Sequence, residues 1–338
     1  MPEIRYSAAL IGPGSEVLGY ETAVSRDHDW GPRVTLLVPS AELEATSSSL
    51  SMAMDHEVPE TFLRYPVRFA LSDPGAGTAP RPGRIAGTHR VEITSVVDWC
   101  QDHFGLSFTV DMCVADWLRI PQQRLLGFTA GRVFRDDLDE LTDARERLAW
   151  YPDDVWRYLL ACQWQRVAQL EPIVGRTGDV GDDLGSRLIA ASLSRDAMRL
   201  AFLIERRYAP YAKWIGSAFQ RLPIATSISD GLNAALAAAG WRERESALVA
   251  VFEALGHATN ALGLADLVEP TRRAFYDRPY TVLDAHRYRE ALNQRINDPE
   301  VRAVIDRWGW VGAIDQFSDS VDLLTSPDRC ERVGPGDR

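Results

Sequence analysis

The stretch Ala9-Leu10-Ile11-Gly12-Pro13-Gly14-Ser15, followed by Gly19 and then by Ser25-Arg26-Asp27-His28-Asp29-Trp30-Gly31-Pro32-Arg33, decides how this chain is read. A short apolar run that ends in Gly-Pro-Gly-Ser is a strand entering a tight turn. Gly14 lets backbone approach a ligand, because no Cβ stands in the way. Ser15 then opens a short helix whose first N–H groups face outward and favour an anion. Asp27 and Asp29 follow. In a strand, residues i and i+2 share a face, about 6.6 Å apart at about 3.3 Å per residue. Both carboxylates therefore look the same way beside the turn, and His28 looks the other way, as a core histidine does.

Two parallel carboxylates repel by about 4 kcal/mol at about 4 Å in an effective dielectric near 20. A proton or a cation relieves that repulsion, and Mg²⁺ held by one or two carboxylates plus substrate phosphates is a common solution. Gly-Ser turns and Asp-x-Asp pairs are each common as loops and caps. Their combination at this spacing, after an apolar strand, points to a metal–nucleoside triphosphate site.

Gly14-Ser15, the gap, and Asp27-x-Asp29 resemble the signature of the nucleotidyltransferase superfamily, which is related to DNA polymerase beta and kanamycin nucleotidyltransferase. Leu18 stands where many small members have arginine, and Arg26 separates Ser25 from Asp27. The longer string from Ser25 to Arg33 resembles a bacterial family of uncharacterised function within that superfamily. The likeness extends to Tyr208-Ala209-Pro210-Tyr211-Ala212-Lys213-Trp214. The resemblance implies an α+β chain, with an N-terminal nucleotidyltransferase domain built on a mixed sheet and a C-terminal α-helical bundle. It also implies a third carboxylate on a later strand. Glu92, in Arg90-Val91-Glu92-Ile93-Thr94-Ser95-Val96, fits that place; Asp98 is the fallback, and an exposed edge-strand glutamate is the alternative.

The chain has 338 residues, enough for two domains of ordinary size. A net charge of −11 speaks against sequence-independent binding to long nucleic acid, which requires lysine and arginine to neutralise phosphates. Cys100, Cys113, Cys162 and Cys330 form no C-x-x-C pair, so neither a zinc pattern nor a disulfide framework is expected. No signal-peptide pattern and no apolar segment of about 20 residues is visible, so a cytoplasmic protein without a membrane partner is expected.

Along the chain, 1–12, 33–38, 90–96 and 131–134 read as strands. The serine-rich patch 46–51 reads as loop, a helix is expected from Pro59 towards Leu71, and 72–88 is a turn-rich connection. A short helix over 114–126 is broken by Pro121, and 137–148 is helical. From about 150 onward strand patterns nearly vanish. Helices are expected over 153–171, 184–206, 211–221, 227–239, 243–262, 284–296, 299–307 and 312–324. The domains are thus 1–150 and 151–325, followed by a loose tail over 326–338.

In the helical half, Lys213 is the sole lysine in the chain. Its compact ammonium, at the start of a helix after Pro210, suits a triphosphate contact; a solvent-exposed chance survivor is the alternative. Tyr211 is a candidate to stack on a nucleobase, as are Tyr208 and Trp214, although such aromatics also serve as core. Gly175 to Ser186 reads as a glycine-punctuated loop entering a long helix, with Arg176 on phosphate and Asp182 on the acceptor, or Asp182 as a plain helix cap. His257 with Asn260 and Arg278-Pro279-Tyr280 are weaker candidates, the first as a buried polar pair and the second as a cleft rim.

Taken together, these readings lead to the expectation of an enzyme that moves an NMP unit from an NTP, ATP by default, to an acceptor, releasing pyrophosphate; the resemblance to kanamycin nucleotidyltransferase implies that the acceptor is a small hydroxylated molecule. Asp27, Asp29 and Glu92 would hold Mg²⁺, Gly14 and Ser15 would bind phosphate oxygens, and the protein would be a monomer or homodimer. Adenylylation of a protein or RNA, and a non-catalytic nucleotide-binding regulator, are the rival expectations.

Overall fold

The protein is seen in a computed structural model that describes residues 4–22, 31–69, 88–106 and 111–334. Its contacts divide the chain into two units, 1–112 with 123–149 and 113–122 with 150–338. In chain order the first unit holds β1 (Ser7–Ala9), α1 (Ser15–Leu18), β2 (Val34–Leu37), α2 (Ser40–Glu57), the two-residue strands β3 (Thr61–Phe62), β4 (Tyr65–Pro66), β5 (Arg68–Phe69) and β6 (Thr88–His89), then β7 (Val91–Thr94) and α3 (Val96–Phe104). After α4 (Val114–Arg119), which belongs to the second unit, come α5 (Gln122–Thr129), β8 (Val133–Asp136) and α6 (Glu140–Arg147).

The principal sheet runs β7-β2-β1-β8. β1 is antiparallel to β2 and β8, and β2 is parallel to β7, so the sheet is mixed as expected. Its strands are short, and main-chain bonds extend the frame: Leu10 N donates to Arg132 O at 2.8 Å and Gly12 N to Gly127 O at 3.0 Å. A Cβ on Gly131 would lie 1.9 Å from Leu10 O, and one on Gly127 2.6 Å from Gly12 O. Glycine at both positions is what lets α5 and the residues just after it lie directly on the chain that leaves β1. Trp99, Phe104 and Phe128 pack edge-to-face and stacked beneath it, all buried.

Two expectations in this unit are corrected. The serine-rich patch is inside α2, where Thr46 and Ser49 hydroxyls donate to the carbonyls of Glu42 and Thr46 instead of diverting the chain. The helix expected from Pro59 is replaced by β3, β4 and β5: Leu63 and Arg64 take positive φ and reverse the chain, and the β-branched and aromatic residues around them suit strands. Pro121 does separate α4 from α5, as expected.

The second unit is helical: α7 (Asp153–Leu170), α8 (Ile173–Asp179), α9 (Asp183–Ile204), α10 (Ile215–Phe219), α11 (Ala225–Ala237), α12 (Trp241–Ala261), the small hairpin β9 (Arg273–Ala274) and β10 (Thr281–Val282), then α13 (His286–Asn293), α14 (Pro299–Trp308), α15 (Ile314–Phe317), α16 (Val321–Leu324) and α17 (Pro327–Val333). Of the apolar residues at helical spacing, Val155, Leu159, Cys162 and Val167 on α7, and Leu193, Ala197, Leu200 and Ile204 on α9, are buried core, while Ile189, expected on the same α9 stripe, is half-buried. Each buried leucine or isoleucine contributes about 1.5–3 kcal/mol by leaving water. Trp164 stacks on Tyr288 at 4.4 Å. The fully buried Arg244 ties α12 to α9 through Ser186 Oγ at 2.6 Å and Asp183 at 3.0 Å. Asp298 caps α14, and Pro299 fits its first turn because no donor is needed there.

Here too boundaries shift. The helix expected over 211–221 is confined to Ile215–Phe219, and the one over 312–324 is two single turns, α15 and α16. The stretch expected as a loose tail contains α17, capped by Ser326. Among the described residues no helix is long and apolar enough to cross a membrane.

Candidate functional site

β1 delivers the chain into Gly12-Pro13-Gly14, and α1 follows as a single turn closed by Gly19 in the left-handed conformation. Gly14 has φ 131°, a conformation that L side chains avoid, and a Cβ there would strike Glu16 Oε1 at 2.5 Å and Arg33 Nη2 at 2.7 Å. Arg33, from the residue before β2, binds this turn from the side. Its Nε donates to Glu16 Oε1 at 2.8 Å, and its Nη2 donates to Pro13 O. Both side chains are nearly buried, at 14% and 12% exposure, so the pair fixes the turn rather than decorating it. The N-cap of α1 is Gly14, which has no side chain to offer the first amides, and Ser15 is half-buried there.

Glu92 stands on β7 directly opposite Thr35 of β2 in the parallel register. Thr35 Oγ1 donates to Glu92 Oε2 at 2.8 Å, and Thr35 is buried while Glu92 is exposed. Among the described residues, Oε1 takes no hydrogen bond. Glu92, Thr35 and Arg33 line one polar cavity of about 280 Å³ together with Leu10 and Ile11, the residues that lead into the glycine turn. The structure thus brings Glu92 and the approach to the Gly14-Ser15 turn to one place. Asp98, the fallback, is occupied otherwise: its amide donates to Ser95 Oγ at 3.0 Å and its carboxylate accepts from the same hydroxyl at 2.6 Å, which caps α3. Asp27, Asp29 and His28 lie outside the described residues. Among the described residues no group of three His, Cys, Asp or Glu side chains is placed to hold a metal ion.

His103 is a neighbour that sequence reasoning missed. Its ring stacks on Trp99 at 3.8 Å, and its Nδ1 faces Trp99 O at 2.9 Å. Nε2 lies 4.0 Å from where a Cβ on Gly12 would be. Burial lowers its pKa, opposed by the Trp99 carbonyl and by the charge of Glu92. The ring is therefore neutral at pH 7, and with the proton on Nδ1, Nε2 is left as an acceptor towards the turn. In sequence, a histidine in the last turn of a helix before Gly105 looks like a C-terminal dipole partner, which hides this placement.

The candidates of the second unit are described within it. Arg176 is not in a loop but on α8, exposed, and its neighbours Gly175 and Gly178 serve packing: a Cβ would meet Tyr280 at 2.7 Å and Trp241 at 2.3 Å respectively. Tyr280 Oη donates to Asp179 at 3.2 Å, and the charges of Arg278 and Arg176 both act on it. Asp182 is a helix cap, accepting from Gly185 N at 2.8 Å. Lys213 is exposed in the turn before α10, its Nζ 5.1 Å from the Trp214 ring centroid. No helix starts at Pro210, and α10 is a five-residue helix, so the expected support from a helix N-terminus is absent there. Tyr211 is exposed, whereas Tyr208 is core, packed against Trp150 and Tyr151. His257 is exposed and Asn260 instead clasps the main chain of Val268, so these two are not the expected buried pair.

A domain family described as "Domain of unknown function (DUF4037)" matches residues 117–215. That span takes in Arg176, Tyr211 and Lys213 and leaves out Gly14, Ser15 and Glu92. No curated protein and no solved structure matches the chain.

Proposed function

We propose that the protein is an Mg²⁺-dependent nucleotidyltransferase that moves an NMP group from an NTP to a small hydroxylated acceptor. The observation that carries this reading is the Thr35–Glu92 pair, set in a polar cavity beside the strand that leads into the Gly14-Ser15 turn. Asp27, Asp29 and Glu92 are the proposed metal ligands, and the open Oε1 of Glu92 has the hard oxygen character that Mg²⁺ prefers. Bound there, the ion would neutralise charge on the phosphate oxygens.

In the transfer itself, the acceptor oxygen forms a bond to the α-phosphorus while the bond from that phosphorus to its bridging oxygen breaks. Pyrophosphate leaves with the electron pair, and the acceptor proton passes to Glu92. Thr35 holds Glu92 for this role, while Arg33 and Glu16 hold the turn that receives the phosphates.

The test is pyrophosphate release from each NTP with Mg²⁺ and cell extract, followed by mass spectrometry of the modified species. Release with one NTP, lost on removal of Mg²⁺, is expected. No release with any NTP would overturn the reading.

A further inference from the structure

We infer that the apolar cavity of the first unit binds an amphipathic anion, a molecule with an apolar body and a carboxylate or comparable acidic group. The cavity has a volume of about 720 Å³, inside the usual range of about 300–1,000 Å³ for small-molecule sites. Strand alternation builds its floor. Val34, Leu36 and Val38 face it, while Thr35 and Leu37, one residue out of phase, are buried on the other face of the sheet. Leu50 and Met54, one helical turn apart on α2, form the opposite wall. None of the 18 residues of α2 is buried, so this helix gains apolar packing when the cavity is filled. Phe62 and Phe134 edge the cavity with 56% and 55% of their surface in solvent.

The charge of the lining selects the ligand. The chain carries a net charge of −11, yet the charged side chains lining the cavity are Arg33, Arg90 and Arg135, with no carboxylate among the described residues there. Glu16, Asp137 and Asp55 lie 2.8, 2.8 and 3.9 Å from Arg33, Arg135 and His89 respectively, but none of the three carboxylates lines the cavity. The arginines on that wall favour an acidic group and repel a cation. Arg33, Val34, His89, Arg90 and Val91 also line the polar cavity of Glu92. On the nucleotidyl-transfer reading, on which this last step rests, the bound molecule is the acceptor, with its apolar body lodged behind the β2–β7 pair and its reacting oxygen at Glu92.

The test is a fluorescence titration of the full chain with dansyl-undecanoic acid and with its methyl ester, in the absence of Mg²⁺ and NTP. Saturable binding of the acid is expected, with the ester about tenfold weaker or more. Met54→Trp and Leu50→Trp, which fill the cavity from α2, should each weaken the acid about tenfold or more, with thermal melts checking that each variant is folded. Arg135→Gln should weaken the acid and leave the ester unchanged. Absence of saturation overturns the inference. Equal affinity for acid and ester overturns its anionic part, and unchanged binding in both tryptophan variants places the probe elsewhere. No nucleotide enters these measurements, so their failure is separate from a failure of nucleotidyl transfer.

Discussion

Thr35 Oγ1 donates to Glu92 Oε2 at 2.8 Å across two parallel strands, so a buried hydroxyl sets the position of an exposed carboxylate. Glu92→Gln should leave the thermal midpoint near that of the parent chain and remove nucleotidyl transfer. Thr35→Val keeps the shape and removes the donor. A hydrogen bond to a charged group contributes about 1.5–3 kcal/mol, so turnover should fall about tenfold or more while nucleotide affinity changes little. Asp98→Asn should alter stability alone, because the Asp98 carboxylate accepts from Ser95, the residue that caps α3. Full turnover in Glu92→Gln together with loss in Asp98→Asn would reverse the two assignments.

Asp27→Asn and Asp29→Asn are each expected to lower the rate of NMP transfer by roughly 10²–10³, the usual cost of removing one group aimed at developing charge. Steady-state pyrophosphate release measures it. A large fall in melting temperature with activity retained would make the pair structural.

Gly131→Ala should be far more damaging than an ordinary glycine substitution, because its Cβ would lie 1.9 Å from Leu10 O. Backbone has to shift to make room, and overpacking of this kind costs about 1–3 kcal/mol or more. Gly127→Ala, at 2.6 Å from Gly12 O, should displace the turn itself. Urea unfolding of the two variants checks the first effect, and NTP binding by calorimetry checks the second. Parental stability in both would contradict the close approach.

Glu171 at the end of α7 accepts the amides of Leu283 and Ala285, each at 2.8 Å, and of Asp284 at 3.3 Å. Burial raises its pKa from 4.5 to about 7 even against those donors. A carboxyl whose folded value is raised holds its proton in the native state while the unfolded chain has released it. Stability should therefore fall as pH rises from about 4.5 to about 7, by about 3 kcal/mol at about 1.4 kcal/mol per unit. Glu171→Gln should flatten that slope. Urea unfolding at a series of pH values decides it, and an equal slope in both proteins would refute the assignment.

The sequence by itself determined the layout of this protein. The apolar run before Gly12, the strand around Glu92 and the helical stripes on α7 and α9 are local patterns, and periodicity reports them because burial of one face imposes it. The helical second half and the break at Pro121 follow from such patterns, whereas the mixed sheet was implied by the family resemblance. What the sequence misread were segments where local preference is weak. The serines of α2 are neutral between helix and loop, and the Gly175–Ser186 stretch looked like a loop because its glycines are there to admit Trp241 and Tyr280, residues distant in the chain. The surroundings of the site were decided by tertiary structure alone. Thr35 and Glu92 are 57 residues apart and meet only through strand register. His103 reaches Gly12 only because α3 packs against the turn, and the basic lining of the apolar cavity gathers from strands that no single window contains. Local pattern fixes which face of an element is apolar; which elements then share a wall depends on packing between distant parts of the chain, and that is set by the fold as a whole.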